Sequence, residues 1–238
     1  MGDTAAAEAM AGGRPRFPRS VAVDGSAASG KSTIGRRLAE RLSYAFLDTG
    51  VMYRAVTLAA IERNVGIEDA DALAELAQSL QIEVSLDGGA ATRINVDGED
   101  VTSRLRTQPV EDAVSIVSRV QAVREALVAR QREIAAQQPI VMAGRDIGTV
   151  VLPDADLKIY LDASIEERAR RRYADFLDSG HEVSQDIVLE DIRRRDQIDS
   201  EREVSPLRPA SDAAIIETDG LDLEQVMERV MDLVGEGK

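Results

Sequence analysis

The sequence lacks cysteine altogether, which excludes disulfide bonds, thiolate metal sites and a cysteine nucleophile. No apolar run approaches the roughly 20 residues that cross a bilayer, and the first twenty residues do not contain the apolar segment of a secretory signal. We therefore predict a disordered extension at residues 1–19, a cytoplasmic protein and no membrane partner.

Lysine is also scarce, because the 238 residues contain three lysines against 26 arginines. Codon usage in a GC-rich genome is the simplest explanation of the excess, but the arginines also cluster, as RARRR at 168–172 and RRR at 193–195. The net charge is −14, which argues against a protein that coats nucleic acid. We expect small anionic ligands and no nucleic-acid partner.

Short apolar runs alternate with helical patterns along the chain. The runs lie at 21–23, 44–47, 140–143, 157–161 and 214–217, and the helical patterns at 31–42, 51–64, 70–79, 109–136, 164–178, 184–198 and 222–234. This order predicts an α/β fold with a five-stranded parallel sheet flanked by helices. Residues 80–105 instead alternate apolar and polar positions around Asp-Gly turns at 87–88 and 97–98, which predicts a small antiparallel β insert.

One of the three lysines, Lys31, stands between a glycine and a serine directly after the first apolar run. Residues 25–32, GSAASGKS, fit the P-loop pattern G-x-x-x-x-G-K-[ST] between a strand and an amphipathic helix. In such a loop the backbone N–H groups converge on phosphate oxygens, and the Ser32 hydroxyl binds Mg²⁺. The pattern predicts binding of ATP and Mg²⁺ by Gly25, Ser26, Ala27, Ala28, Ser29, Gly30, Lys31, Ser32 and Thr33.

The rest of the sequence narrows the class of P-loop protein. There is no Asn-Lys pair for guanine recognition, and no strand ends convincingly in the Asp-Glu of an ATP-driven motor. Arg54 and Arg145 instead follow strand ends, where ligands of open α/β sheets bind. Such arginines suit an enzyme that moves a phosphoryl group between two anionic nucleotides.

Several segments resemble the bacterial cytidylate kinases, a family of P-loop nucleoside monophosphate kinases. They include DGSAASGKST, LDTGVMYRAVTLAA, GRDIGTVVLPDADLKIYLDASIEERARRR and RRRDQIDSEREVSPLRPASDA, spread over residues 21–234. The resemblance implies a kinase core at 20–79 and 106–238, a monophosphate-binding insert at 80–105 and a helical lid at about 168–184. It also implies transfer of the γ-phosphoryl group of Mg·ATP to CMP or dCMP.

The resemblance assigns roles to individual residues. Thr49, Arg54 and Arg145 would hold the acceptor phosphate, and the catalytic residues would be Lys31, Arg145, Arg168 and Arg172. No residue is required as a tuned general base, because phosphoryl transfer of this kind depends mainly on positioning and charge stabilisation.

The resemblance also implies that Ser115, Arg124 and Asp146 read cytosine. An arginine can donate to O2 and N3 of that base, and a carboxylate can accept from its amino group. The remaining contacts, to ribose and to phosphate or base, would come from one face of one helix through Arg195, Asp199 and Arg202.

The spacing of Ser115 and Arg124 predicts a break between two helices, because nine residues at 100° each place them on opposite sides of one straight helix. Ser118 and Gln121 form a capping-box pattern, so we predict that the second helix starts at about Ser118. Ser164 and Glu167 form the same pattern, which predicts a helix start there.

Some alternatives stay open. UMP, AMP or a small alcohol such as shikimate could be the acceptor, and a nucleotide-binding regulator without turnover is a candidate from another class. Ala143 stands where many members of the family have Asp. If that Asp helps to hold water or metal in the family, this chain has to hold Mg²⁺ without it. His181, the one histidine, is expected to be a solvated loop residue. We expect a monomer, because no apolar stripe is left over on the helices.

Overall fold

The structure is a computed structural model, and it describes residues 17–86, 92–178, 180, 182–202 and 204–236. In this part of the chain the strands are β1 (Ser20–Gly25), β2 (Ala45–Asp48), β3 (Ile82–Ser85), β4 (Arg93–Val96), β5 (Glu99–Asp100), β6 (Ile140–Gly144), β7 (Leu157–Asp162) and β8 (Ala214–Glu217). The segment predicted as a disordered extension lies almost wholly outside the described residues, as does His181.

The α-helices surround these strands and have nearly the predicted bounds. They are α1 (Lys31–Leu42), α2 (Gly50–Glu62), α3 (Ala70–Ser79), α4 (Gln108–Val117), α5 (Gln121–Gln137), α6 (Ile165–Asp178), α7 (Gln185–Glu201) and α8 (Leu223–Glu236). Across the described residues, none of them combines the length and apolarity that crossing a membrane requires.

The predicted five-stranded parallel sheet is confirmed, with the strand order β2-β6-β1-β7-β8. Side chains of successive residues point to opposite faces of a sheet. Ala22, Leu47 and Met142 accordingly join one apolar core with α2, α3, α4 and α5, whereas Val21 and Val23 join a second core with α1 and α8. Burial on both faces explains why these strands read as continuous apolar runs.

The predicted antiparallel insert is also confirmed, as a three-stranded sheet in the order β3-β4-β5. Asp97 and Gly98 both have positive φ angles, 50° and 85°, as the Asp-Gly turn requires. The other predicted turn, at 87–88, lies outside the described residues. Ile94 and Val96 of β4 are buried against the core that α2 shares with the sheet, which fixes the insert to the body.

The predicted break between the helices that carry Ser115 and Arg124 is confirmed. The predicted start of the second helix, at about Ser118, was wrong. Ser118 ends α4, and its hydroxyl donates to the carbonyl of Ser115 at 3.0 Å, so it does not cap the next helix. The next helix, α5, begins at Gln121 without a side-chain cap. The start of α6 follows the prediction, because the Ser164 hydroxyl accepts from the Glu167 N–H at 3.3 Å.

A helical pair, α6 and α7, lies over the carboxyl ends of the strands, and the segment predicted as a lid, at about 168–184, begins within α6 and ends just before α7. The pair's own apolar cluster is small, with only three buried members, Ala169, Val188 and Ile192. Its polar contacts with the body are described with the site.

Candidate active site

A cavity of about 740 Å³ opens at the carboxyl ends of the parallel strands. Its walls come from the P-loop, α1, α2, α4, α5, the end of β6, and the pair α6 and α7. All nine residues predicted to bind the acceptor line it, namely Thr49, Arg54, Ser115, Arg124, Arg145, Asp146, Arg195, Asp199 and Arg202. The fold therefore brings together residues from four distant parts of the chain.

The P-loop at 25–32 wraps around the amino end of α1. Gly30 has a φ angle of 90°, which residues other than glycine rarely adopt. A Cβ atom on Gly25 would lie 2.5 Å from the carbonyl oxygen of Leu161, so only glycine fits there. Of the nine residues predicted to bind ATP, the cavity wall includes Ala27, Ala28, Gly30, Lys31, Ser32 and Thr33, while Gly25, Ser26 and Ser29 are buried beneath them.

Lys31 is folded back over its own loop. Its ammonium donates to the carbonyl of Ser26 at 2.8 Å. Burial, and then the positive charge of Arg145, lower the pKa of Lys31 well below its ordinary value. A polyphosphate bound at this loop would raise the pKa of Lys31 again, because nearby negative charge favours the protonated amine.

Ser32 and Asp48 form a pair of oxygen ligands next to the P-loop. The Ser32 hydroxyl donates to the Asp48 carboxylate at 2.7 Å. Burial alone would raise the pKa of Asp48, but Arg54, the Ser32 hydrogen bond and Lys31 together lower it, so the carboxylate is ionised. Within the described residues, no group of three or more carboxylate or imidazole side chains could hold a metal ion. The pair fits Mg²⁺, which proteins often bind through one or two carboxylates together with substrate phosphates.

Glu111 of α4 connects three arginines on the acceptor side of the cavity. Its carboxylate accepts from Arg54 at 2.9 and 3.4 Å and from Arg195 at 3.1 Å, and it lies 3.8 Å from Arg172. Burial alone would raise its pKa, but Arg54, Arg195 and Arg172 lower it to about 2. Sequence reasoning missed Glu111, although it lies four residues before Ser115 on the same face of one helix.

The deep end of the cavity contains a buried ion pair between Arg124 and Asp146. Ser115 is buried beside them on the cavity wall. The Arg124 guanidinium also lies 5.5 Å from the ring centre of Tyr53, and Arg202 approaches Asp146 at 3.8 Å. The three predicted base contacts thus occupy one pocket with a donor and an acceptor side by side.

Arg145 links the P-loop to α7. Its guanidinium donates to the carboxylate of Asp199 at 2.7 Å and to the carbonyl of Gly25 at 3.2 Å. Burial by itself would raise the pKa of Asp199, yet Arg145 and, further off, Arg202 lower it. Arg145 therefore holds a fixed positive charge between the two halves of the cavity.

Arg168 and Arg172, the two arginines of α6 that were predicted to be catalytic, differ sharply in position. Arg172 lies on the cavity wall. Arg168 is buried and turned toward the body, where it donates to the carbonyls of Ala27 at 3.2 Å and Ala163 at 3.1 Å and pairs with Asp196 at 2.7 Å. The contacts of Arg168 therefore brace the P-loop against α6 and α7, and Arg168 is not among the residues that line the cavity. Its catalytic role stays a prediction.

Asp24 at the end of β1 is a further buried carboxylate that sequence reasoning missed. It accepts from the N–H groups of Ile147 and Gly148, both at 2.7 Å, and so ties β1 to the π-helical turn at Ile147–Val151. Burial is the main reason that its pKa rises to about 6, and the charge of Asp146 adds to the effect. No motif predicted this link.

Ala143 is fully buried in β6, in register with Val23 on one side and Asp48 on the other. Its carbonyl accepts from both the N–H and the hydroxyl of Thr49, at 2.9 and 3.0 Å. Its side chain packs in the apolar core with α1. Asp48 is therefore the carboxylate that accompanies Ser32 at this point of the site.

Comparison with known proteins shows to which family the chain is similar. A family model described as cytidylate kinase matches residues 21–236. The chain is 49% identical to the cytidylate kinase of Geobacillus kaustophilus (strain HTA426) over 217 residues, which cover 91% of this chain and 96% of that protein. It is 48% identical to that of Geobacillus sp. (strain WCH70), with the same coverage. It is 46% identical to that of Bacillus subtilis (strain 168), over 90% of this chain and 96% of that protein.

Proposed function

The chain belongs to the cytidylate kinase family, and from that premise we propose that it transfers the γ-phosphoryl group of Mg·ATP to CMP or dCMP. The products are ADP and CDP or dCDP. The observation that carries the choice of acceptor is the buried Arg124–Asp146 pair at the deep end of the cavity.

The donor nucleotide binds at the P-loop. Its phosphates meet the backbone N–H groups of the loop and the amino end of α1. Lys31 supplies a compact positive charge to the outer phosphates, in place of its present contact with Ser26. Ser32 and Asp48 would hold Mg²⁺, which would neutralise negative charge on the phosphates.

The acceptor phosphate binds at Thr49, Arg54 and Arg145. These residues follow β2 and β6, so they meet outside the strand ends where the P-loop also lies. Arg145 is next to the P-loop through Gly25, which suits contact with both the acceptor and the transferring group. The acceptor oxygen attacks the γ-phosphorus in line, and the reaction is accelerated by positioning and by charge neutralisation.

Cytosine binds at Ser115, Arg124 and Asp146. Arg124 donates to O2 and N3 of the base, and Asp146 accepts from its amino group. Uracil would place a carbonyl oxygen against the Asp146 carboxylate, with no hydrogen atom between the two oxygens. A buried polar group without its partner is costly, so UMP is a poor acceptor.

The ribose binds at Arg195 and Asp199, with Arg202 nearby. Among the described residues, Nε of Arg195, Nε of Arg124 and Nη2 of Arg202 are buried without a hydrogen-bond partner. Three such donors around one cavity support a polar ligand rather than an apolar one. Loss of one hydroxyl contact at Asp199 is tolerable, so dCMP also serves as acceptor.

The lid is the segment at about 168–184, which begins within α6 and ends just before α7. Arg172 contributes a charge to the transferring phosphoryl group, and Arg168 keeps the lid in register with the P-loop. Closure of the lid excludes water and so limits hydrolysis of ATP. The enzyme acts as a monomer in the cytoplasm, where both nucleotides are present.

ADP release with Mg·ATP and CMP, dCMP, UMP or AMP tests the proposal. We expect rapid turnover with CMP and dCMP and little with UMP or AMP. Asp146→Asn keeps the size of the side chain but removes its charge, so kcat/KM for CMP should fall about a hundredfold while the relative rate with UMP rises. Asp154→Asn, at an exposed position outside the cavity, is the matched control.

Turnover that favours UMP or AMP would keep the phosphoryl chemistry and contradict the roles given to Ser115, Arg124 and Asp146. Saturable ATP binding without turnover on any acceptor would instead favour a nucleotide-binding regulator.

A further inference from the structure

Glu111 is the one carboxylate on α4 that faces the candidate acceptor site. It shares a buried face of that helix with Val114 and Ser115, at spacings of three and four residues. Its neighbour Asp112 is exposed and accepts a hydrogen bond only from Gln108 of the same helix. Of these two carboxylates on α4, only Glu111 can therefore act on the cavity.

The contact between Glu111 and Arg54 fixes the orientation of the guanidinium. The two carboxylate oxygens accept from Nε and Nη2 of Arg54, at 2.9 and 3.4 Å. This two-point contact leaves Nη1 free to face the other way. A Cβ atom added to Gly50 would lie 2.8 Å from that Nη1, so the remaining donor points toward the start of α2, where the acceptor phosphate is proposed to bind.

Glu111 also joins arginines from helices that are otherwise separate. Arg54 belongs to α2, Arg195 to α7 and Arg172 to α6, and all three lie within 3.8 Å of its carboxylate. Three guanidinium groups this close repel one another unless an anion lies between them. The depressed pKa of Glu111 agrees with this role, because the carboxylate stays ionised at any pH near neutrality.

We propose that Glu111 is a positioning residue for the acceptor phosphate, one that orients Arg54 and holds Arg195 and Arg172 around it. The inference rests on the proposed function, because it takes Arg54 to be the phosphate contact. Glu111 itself does not touch the reacting atoms. It acts by presenting the free edge of Arg54 before the nucleotide arrives, so that less ordering is needed on binding.

The opposite role would also follow from a carboxylate among arginines, and it has the opposite consequence. If Glu111 occupied the place of the phosphate, it would compete with the acceptor, and its removal would strengthen binding. The side-on contact with Arg54 favours positioning, since Nη1 remains available on the side away from Glu111.

Glu111→Gln is the direct test, because it keeps the shape of the side chain and removes the charge. Its affinities for CMP and for cytidine, which lacks the phosphate, are measured by calorimetry alongside wild type and Asp112→Asn. We expect CMP to bind about tenfold more weakly to the variant, the scale of one lost charge-assisted contact, and cytidine to lose much less affinity, because it lacks the phosphate and keeps only the ribose contact of Arg195. In turnover, KM for CMP should rise while KM for ATP stays the same.

Equal losses for CMP and cytidine would show a merely structural role, and tighter CMP binding would show competition. Either result overturns the inference, as would no change at all. If wild type itself bound CMP no better than cytidine, the proposed function would fail instead. Should Glu111→Gln not fold, Glu111→Asp keeps the charge but shortens its reach, and the same selective loss of CMP affinity is expected.

Discussion

The two sides of the cavity are held in place by different forces. The donor side is the P-loop with the strands beneath it, where Leu161 and Val23 are fully buried in an apolar core. The acceptor side is the set of paired charges Arg54–Glu111, Arg124–Asp146 and Arg145–Asp199. Apolar packing fixes the first side, and ion pairs hold the second.

The difference suits what each side does. A close-packed core resists change, because any shift creates voids or overlaps. Buried ion pairs add little net stability, since the loss of hydration offsets the attraction between the charges. They do hold arginines in fixed orientations, and a nucleotide can take over those contacts at small net cost. The charged side chains of the acceptor side can therefore exchange partners when a nucleotide binds, whereas the packed core beneath the donor side keeps its shape.

The largest expected effect comes from removing the ammonium group of Lys31 from the donor side. Lys31→Met should lower kcat about a thousandfold, because the charge that develops on the transferring group loses its stabilisation. Binding of CMP should change by less than about threefold, since the acceptor charges are intact. Steady-state kinetics and calorimetry check both. A large loss of CMP affinity would show that the two sides are not independent.

Matched truncations in the two regions separate apolar from polar support. Leu161→Ala in the core beneath the P-loop should lower the free energy of unfolding by about 3 kcal/mol. Ile192→Ala removes the same number of carbons from the small α6–α7 cluster, and we expect a loss of about 1 kcal/mol, because the pair can open without unfolding the body. Urea denaturation gives both values. Equal losses would mean that the pair unfolds only with the core.

The pH dependence of stability has opposite signs on the two sides. Asp24, with its pKa raised to about 6, stabilises the fold below about pH 4 and loses that contribution as pH rises through 6. Glu111, with its pKa near 2, stabilises the fold above about pH 4.5 and loses it as pH falls. The advantage of wild type over Asp24→Asn should therefore shrink by about 2 kcal/mol between pH 4.5 and 7, while its advantage over Glu111→Gln should shrink by about 2 kcal/mol from pH 5 to 3.

Urea denaturation across this range checks the two signs separately. A difference between wild type and Asp24→Asn that stays constant between pH 4.5 and 7 would contradict the assignment to Asp24. A constant difference between wild type and Glu111→Gln would contradict the assignment to Glu111.

The smallest expected effect comes from an ion pair on the surface. Glu224 of α8 accepts from Arg37 and Arg41 of α1, and its side chain is 62% exposed. Glu224→Gln should change the free energy of unfolding by less than about 0.5 kcal/mol, because water and salt screen exposed charges. A loss as large as that of Glu111→Gln would remove the distinction between buried and exposed pairs.

Much of the fold could be read from local patterns. The helices 31–42 and 70–79 and the strand 214–217 have the predicted bounds, because their periodicity and their end signals agree. The start of α5 could not be read correctly, since the capping pattern at Ser118 competes with the hydrogen bond that Ser118 makes to Ser115. Within the site, the nine acceptor residues were predicted through resemblance. The positions of Arg168 and Arg172 could not be told apart from the sequence, because helical spacing alone does not show which arginine faces the cavity and which faces the body.

The sequence by itself determined the P-loop, the alternation of strands and helices, and the antiparallel insert, because each depends on neighbours in the chain. Only the tertiary structure decided which charges meet. Glu111 contacts Arg54 and Arg195 across 57 and 84 residues, and Asp24 binds the backbone 123 and 124 residues away. Such contacts arise when packing brings distant segments together in a medium that screens charge weakly. No local pattern records them.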